Sequence, residues 1–197
     1  MASKLKKIFL SASIPLADRD LKYFDTADNT AIRDAVIALS RIVLPKAELV
    51  WGGHPSITPL IRAVLEKQNL QISEHVTLYQ SNFFLKKFPS DNNFFEKLII
   101  TDELKDQKES LGLMRKKMIV GNNFCAAIFI GGMDGVEDEY KLFKEAHPDV
   151  PVFPIASTGA ASRILYFQEN FKNERLLTDF CYLPLFDELF EEILNGE

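Results

Sequence analysis

Short continuous apolar runs alternate along this chain with longer stretches in which apolar residues recur every three or four positions. Residues 7–13 (KIFLSAS), 47–51 (AELVW), 75–79 (HVTLY), 124–130 (FCAAIFI) and 152–155 (VFPI) are of the first kind, and 98–101 (LIIT) reads as a further strand or an edge. Runs this short and this apolar predict strands buried on both faces. Between them, Ile32, Val36, Leu39 and Val43 repeat at helical spacing over 28–44, with Asp28 or Thr30 placed to cap the start. Leu60, Ile61, Val64 and Leu65 give a second helix its apolar face beyond Pro55 and Pro59. Helices are also predicted over 109–120 and 138–146, and two more after residue 155, the last over 185–194. Residues 81–96 stay irregular and rich in aromatics. The alternation predicts one α/β domain: a Rossmann-like doubly wound parallel sheet flanked by helices on both faces.

In such sheets ligands bind outside the carboxyl ends of the strands. Four segments at strand ends carry small, hydroxyl or glycine residues: Ser11-Ala12-Ser13, Gly52-Gly53-His54, Gly131-Gly132-Met133-Asp134-Gly135 and Ser157-Thr158-Gly159. Glycine lets backbone approach a ligand closely, and a helix start beside it offers free N–H groups suited to phosphate. A single Gly-Gly pair is common in tight structural turns. Four such segments at equivalent positions point to a site, and their candidate ligand contacts are Ser11, Ser13, Gly52, Gly53, His54, Gly131, Gly132, Asp134, Gly135, Ser157, Thr158 and Gly159.

Composition narrows the function classes. With 28 acidic and 23 basic residues the formal charge is −5, which leaves no footprint for duplex nucleic acid. The acids Asp187, Glu188, Glu191, Glu192 and Glu197 crowd the C-terminus, as on a solvated helix face. Cys125 and Cys181 stand far apart and form no CxxC, and the longest apolar runs fall short of a membrane span. A reduced cytoplasmic protein is the expectation. His54, His75 and His147 show no ligand spacing, so neither a metal site nor a cofactor is expected. Sixteen Phe suggest a Phe-rich core, while the cluster Phe83, Phe84, Phe88, Phe94 and Phe95 could stack a base or form a contact.

Arg115-Lys116 before the 124–130 run, then Gly131-Gly132, Gly135 and Glu139 after it, resemble the motif of the LOG phosphoribohydrolases, part of the SLOG superfamily of Rossmann-like nucleotide-binding domains. Trp51-Gly52-Gly53-His54-Pro55 and Ser157-Thr158-Gly159-Ala160-Ala161 are similar to segments of SLOG domains from bacterial conflict systems, found beside TIR or sirtuin-type NAD-consuming domains. The likeness runs from about residue 6 to 166. It implies that Arg115 and Glu139 serve N-glycosidic cleavage of a nucleotide, with Gly131, Gly132 and Gly135 holding phosphate beside Lys116.

Three departures weigh against turnover. Ile130 replaces proline, Val136 replaces threonine, and one extra residue separates the glycine pair from Gly135. Asp134 adds a negative charge to the turn, suited to ribose hydroxyls rather than phosphate. The expectation is therefore a module that senses or sequesters a nucleotide-derived ligand, of ADP-ribose type, in antiviral defence. A LOG-like N-glycoside hydrolase and a non-binding interaction subunit are the alternatives. The resemblance further implies a TIR or sirtuin-type effector partner and a homodimer or larger homo-oligomer formed through helices beside the site.

Overall fold

The computed structural model describes residues 5–68, 70 and 75–195, so Glu197 lies outside the described residues. Six strands form a single sheet in the order β4-β3-β2-β1-β5-β6, every neighbouring pair parallel. They are β1 (Lys6–Ser13), β2 (Ala47–Trp51), β3 (Val76–Ser81), β4 (Leu98–Thr101), β5 (Ala126–Gly131) and β6 (Val152–Ile155). This is the Rossmann-like α/β architecture expected from the alternating pattern.

Alternation along the central strands feeds two cores. Ile8 and Leu10 of β1 join Leu49 and Trp51 of β2 on one face, whereas Phe9 and Val50 point to the other. The first face is covered by α2 (Asn29–Val43), α3 (Thr58–Gln68) and the last helix, α8 (Tyr182–Asn195). The second is covered by α4 (Gln107–Ile119), α5 (Asp134–Ala146) and α6 (Ala160–Gln168). Phe9 packs here among Phe124, Phe129 and Phe143, stacking on Phe143 with centroids 5.4 Å apart. Rings offset or edge-on in this way add stability beyond the area they bury. Two short helices complete the chain, α1 (Leu21–Phe24) and α7 (Arg175–Thr178).

The structure shifts several predicted bounds. The irregular stretch 81–96 contains two 3-10 turns, Asn82–Lys87 and Ser90–Phe94. Among the described residues three helices, not two, follow β6, and the last starts at Tyr182 and not at Leu185, with Pro184 in its first turn, where a missing N–H costs nothing. Most consequential is α5, which starts at Asp134 and not at Asp138. Asp134 and Glu137 favour that earlier start, since acidic side chains suit the positive end of a helix. Gly135 and Val136 are thereby helical, and Glu139 lies beyond the first turn.

Among the described residues no helix is long and apolar enough to cross a membrane. The cap of α2 ties the sheet ends together. Asp28 accepts from the Ala31 N–H at 2.9 Å, and its own N–H donates to the Thr158 carbonyl at 3.2 Å. Asp28→Ala removes the first bond, so unfolding free energy should fall by about 1 kcal/mol in urea titrations, with an unchanged slope.

Candidate functional site

The winding of the sheet reverses at β1. From β1 the chain proceeds through β2 and β3 to β4 on one side, and later passes from β5 to β6 on the other. Connections that leave in opposite directions open a crevice at the carboxyl ends of the strands between them. A cavity of about 400 Å³ occupies this place, lined by Ser11–Ser13 at the end of β1, by Gly52-Gly53-His54 after β2 and by Met133–Val136 at the start of α5. Its size falls in the range of small-molecule sites.

At its centre lies a polar network built from three elements. The Ser11 hydroxyl, at the end of β1, donates to Glu139 Oε2 of α5 at 2.6 Å. From α4, Arg115 Nε donates to Glu139 Oε1 at 3.3 Å, and its Nη1 to Asp138 Oδ2 at 3.0 Å. The side chains of Arg115 and Glu139 are only 17% and 13% exposed, so the pair is shielded from water. Burial pushes the Glu139 carboxyl above the ordinary glutamate value of 4.5, although Arg115 and the Ser11 hydroxyl pull it down. Gly135 makes room for this network, since a Cβ there would lie 2.8 Å from Arg115 Nη2.

His54 is held below its usual value by burial and by the nearby Arg19 charge, which leaves it neutral near pH 7. Its Nδ1 accepts from the Ser56 N–H at 3.3 Å, leaving Nε2 as the protonated nitrogen available to a ligand. Two further cations line the cavity, Arg19 from the loop after β1 and Lys87 from the turn after β3. Among the described residues neither is in an ion pair. Phe84, Leu111 and Met114 supply apolar wall beside them.

The sequence candidates divide accordingly. Ser11, Ser13, Gly52, Gly53, His54, Asp134, Gly135, Arg115 and Glu139 all line the cavity. Lys116 does not, because it lies on the exposed side of α4, one residue round from Arg115. Gly131 and Gly132 sit behind the lining as the scaffold of the turn. Gly132 has φ +89°, and a Cβ would collide with Val136, so this backbone tolerates no side chain. Its N–H donates to the Ser13 carbonyl at 2.8 Å, which welds the turn to the end of β1.

Ser157, Thr158 and Gly159 are also apart from the cavity lining. The Thr158 hydroxyl accepts from the Gly131 N–H at 2.9 Å and donates to the Ile155 carbonyl, while the Ser157 hydroxyl bonds the Tyr182 hydroxyl at 3.1 Å. Gly159 packs against the backbone at Thr26. This fourth segment braces the glycine turn from behind. Arg19 and Lys87 escaped the sequence reading because neither belongs to a motif, and each is one cation among many in a loop. The only available signal was position, since both follow strands.

A family model for the SLOG cluster3 family matches residues 22–190. The chain belongs to the SLOG cluster3 family. No curated protein sequence matches it significantly. For this SLOG domain the match runs from α1 into the last helix, so Arg115, Glu139 and the glycine turn fall inside it, while Ser11, Ser13 and Arg19 precede it.

The raised Glu139 pKa has a defined sign in stability. Over the window from the ordinary glutamate value up to the raised one, the folded state keeps a proton that the unfolded chain has released, so stability falls as pH rises. Glutamine at this position cannot titrate. The melting temperature of wild type minus that of Glu139→Gln should therefore decrease as pH rises above the ordinary glutamate value of 4.5. A flat or rising difference in calorimetry would contradict the assignment of that shift.

Proposed function

We propose that this protein binds a nucleotide-derived small molecule in the cavity at the ends of β1, β2 and β5, and that it senses or sequesters that ligand. One observation carries the reading: Arg19 and Lys87 face the cavity with no ion pair among the described residues, while Arg115 is already engaged by Asp138 and Glu139. Both side chains are solvent-accessible, and cations that line a cavity without carboxylate partners suit an anionic ligand. Two such cations on one cavity wall favour a diphosphate-linked ligand over a single phosphate, in keeping with an ADP-ribose-type signal.

The rest of the wall fits a nucleotide's other parts. Phe84, Leu111 and Met114 offer an apolar surface for a base, Asp134 an acceptor for ribose hydroxyls, and the start of α5 free backbone donors. SLOG membership supports the same class of ligand. A role in bacterial antiviral defence, with a TIR or sirtuin-type effector as partner, is part of the proposal and rests on that kinship.

A second reading is favoured by Glu139 itself. A shielded carboxyl with a raised pKa, oriented by Arg115 and Ser11, is equipped to activate water against the sugar carbon of an N-glycosidic bond while the base departs. In that hydrolase reading the products are free base and ribose phosphate.

Thermal melts with AMP, ADP-ribose and NAD⁺, combined with chromatography of the mixtures, separate these readings. Saturating ADP-ribose should raise the melting temperature by about 5–10 °C. Arg19→Ala and Lys87→Ala should each reduce that rise, and Glu139→Gln should preserve most of it without any base being released by wild type. Base release that stops in Glu139→Gln would establish the hydrolase reading instead. No shift with any nucleotide would leave a non-binding interaction subunit.

A further inference from the structure

Strand β4 closes one end of the sheet with β3 as its single strand neighbour. Exposed edges in stable proteins are commonly blunted by proline, by bulges or by lysines set along the strand. This one is only four residues long, itself a way to blunt an edge, but it has none of these others over residues 98–101 and exposes Ile99 and Ile100, at 38% and 46%. The charged residues sit outside the apolar pair, in the order Glu96-Lys97 before it and Asp102-Glu103 after it.

The ladder fixes which backbone groups are free. The Leu78 N–H donates to the Lys97 carbonyl at 2.9 Å. In a parallel ladder alternate residues face the same neighbour, so Lys97 and Ile99 are directed to β3. The N–H and C=O groups of Leu98, Ile100 and Asp102 consequently face outward. A strand meeting its own copy about a twofold axis must run antiparallel, and hydrogen-bonded pairs can form only between outward-facing residues.

Two of the registers that satisfy that condition are centred within the exposed apolar pair. Centring on Ile99 sets Glu96 against Asp102 of the second copy, a repulsion repeated by symmetry. Centring on Ile100 sets Lys97 against Glu103 of the second copy, an attraction repeated by symmetry, and buries isoleucine against isoleucine on the axis. Glu103 is exposed and has no ion pair among the described residues, and Lys97 reaches Glu48 only at 3.7 Å with its side chain 44% exposed. Opposite charges directly across an antiparallel pair stabilise it, and like charges destabilise it.

We propose that the outer edge of β4 docks a second copy of this chain, antiparallel and centred on Ile100, so that two six-stranded sheets become one. The surface lies on the edge strand and not on the helices beside the site. It adjoins β3, whose following turn carries Phe84 and Lys87, so pairing would steady the outer wall of the cavity in both copies.

Light scattering on the full chain at tens of micromolar tests this. Wild type should show twice the chain mass. Ile100→Lys, a change at a half-exposed position that sets two lysines on the axis, should run at the single-chain mass with an unchanged circular dichroism spectrum. Glu103→Lys, at a fully solvated position, should weaken the dimer at least about tenfold at low salt, with the loss shrinking as salt is added. A monomeric wild type overturns the proposal. So does a dimer that Ile100→Lys leaves intact, or one that Glu103→Lys leaves equally tight at low salt.

Discussion

The hydrogen bond from the Gly132 N–H to the Ser13 carbonyl joins the two strand ends at which the winding of the sheet reverses. Everything at the site depends on that junction. It holds the turn after β5 against the end of β1, with Thr158 securing the same turn from the side of β6. With the backbone fixed there, α5 must start at the cavity floor, and its second turn carries Glu139 to Ser11. The positive φ values of Gly131 and Gly132 are what allow the chain to turn so tightly, since a residue with a Cβ would strike Ile32 or Val136.

Charge is distributed over the cavity unevenly. Its inner part is self-satisfied: Arg115 is bound by two carboxylates, and Glu139 by a guanidinium and a hydroxyl. Its outer part is not, because Arg19 and Lys87 bring positive charge without acids, and His54 adds none near neutral pH. A ligand of the kind proposed would gain from the outer cations without displacing anything, whereas recruiting Arg115 would require breaking a shielded pair. Ion pairs of that kind are costly to open, since the group left behind stays buried and unpaired. On the proposed reading, the division would separate a place to hold an anion from a place where a carboxyl is kept ready.

Much of the fold was legible in the chain because strands buried on both faces read as unbroken apolar runs, and β1, β2 and β5 are such strands. The start of α5 was not legible, since Gly135 breaks the helical pattern and Met133 contributes no capping side chain. The candidate site was legible where strand ends carry glycine and hydroxyl residues. That signal does not tell a residue lining a cavity from one supporting it, so Ser157, Thr158 and Gly159 looked equivalent to Ser11 and Gly53. Arg19 and Lys87 are solitary side chains placed by tertiary structure, and periodicity cannot see them.

Gly135 sets a mechanical property of the cavity. Its bare Cα lets the start of α5 rest almost directly on the Arg115 guanidinium of α4, with no side chain to act as a compressible spacer. Arg115 is also clamped to Asp138 and Glu139, which holds α4 and α5 together at this point. On the proposed reading, adjustment to ligands of different length would fall on the rest of the wall, made of the loop carrying Arg19 and the 3-10 turn carrying Phe84 and Lys87. The site would then be a fixed anvil facing a compliant lip.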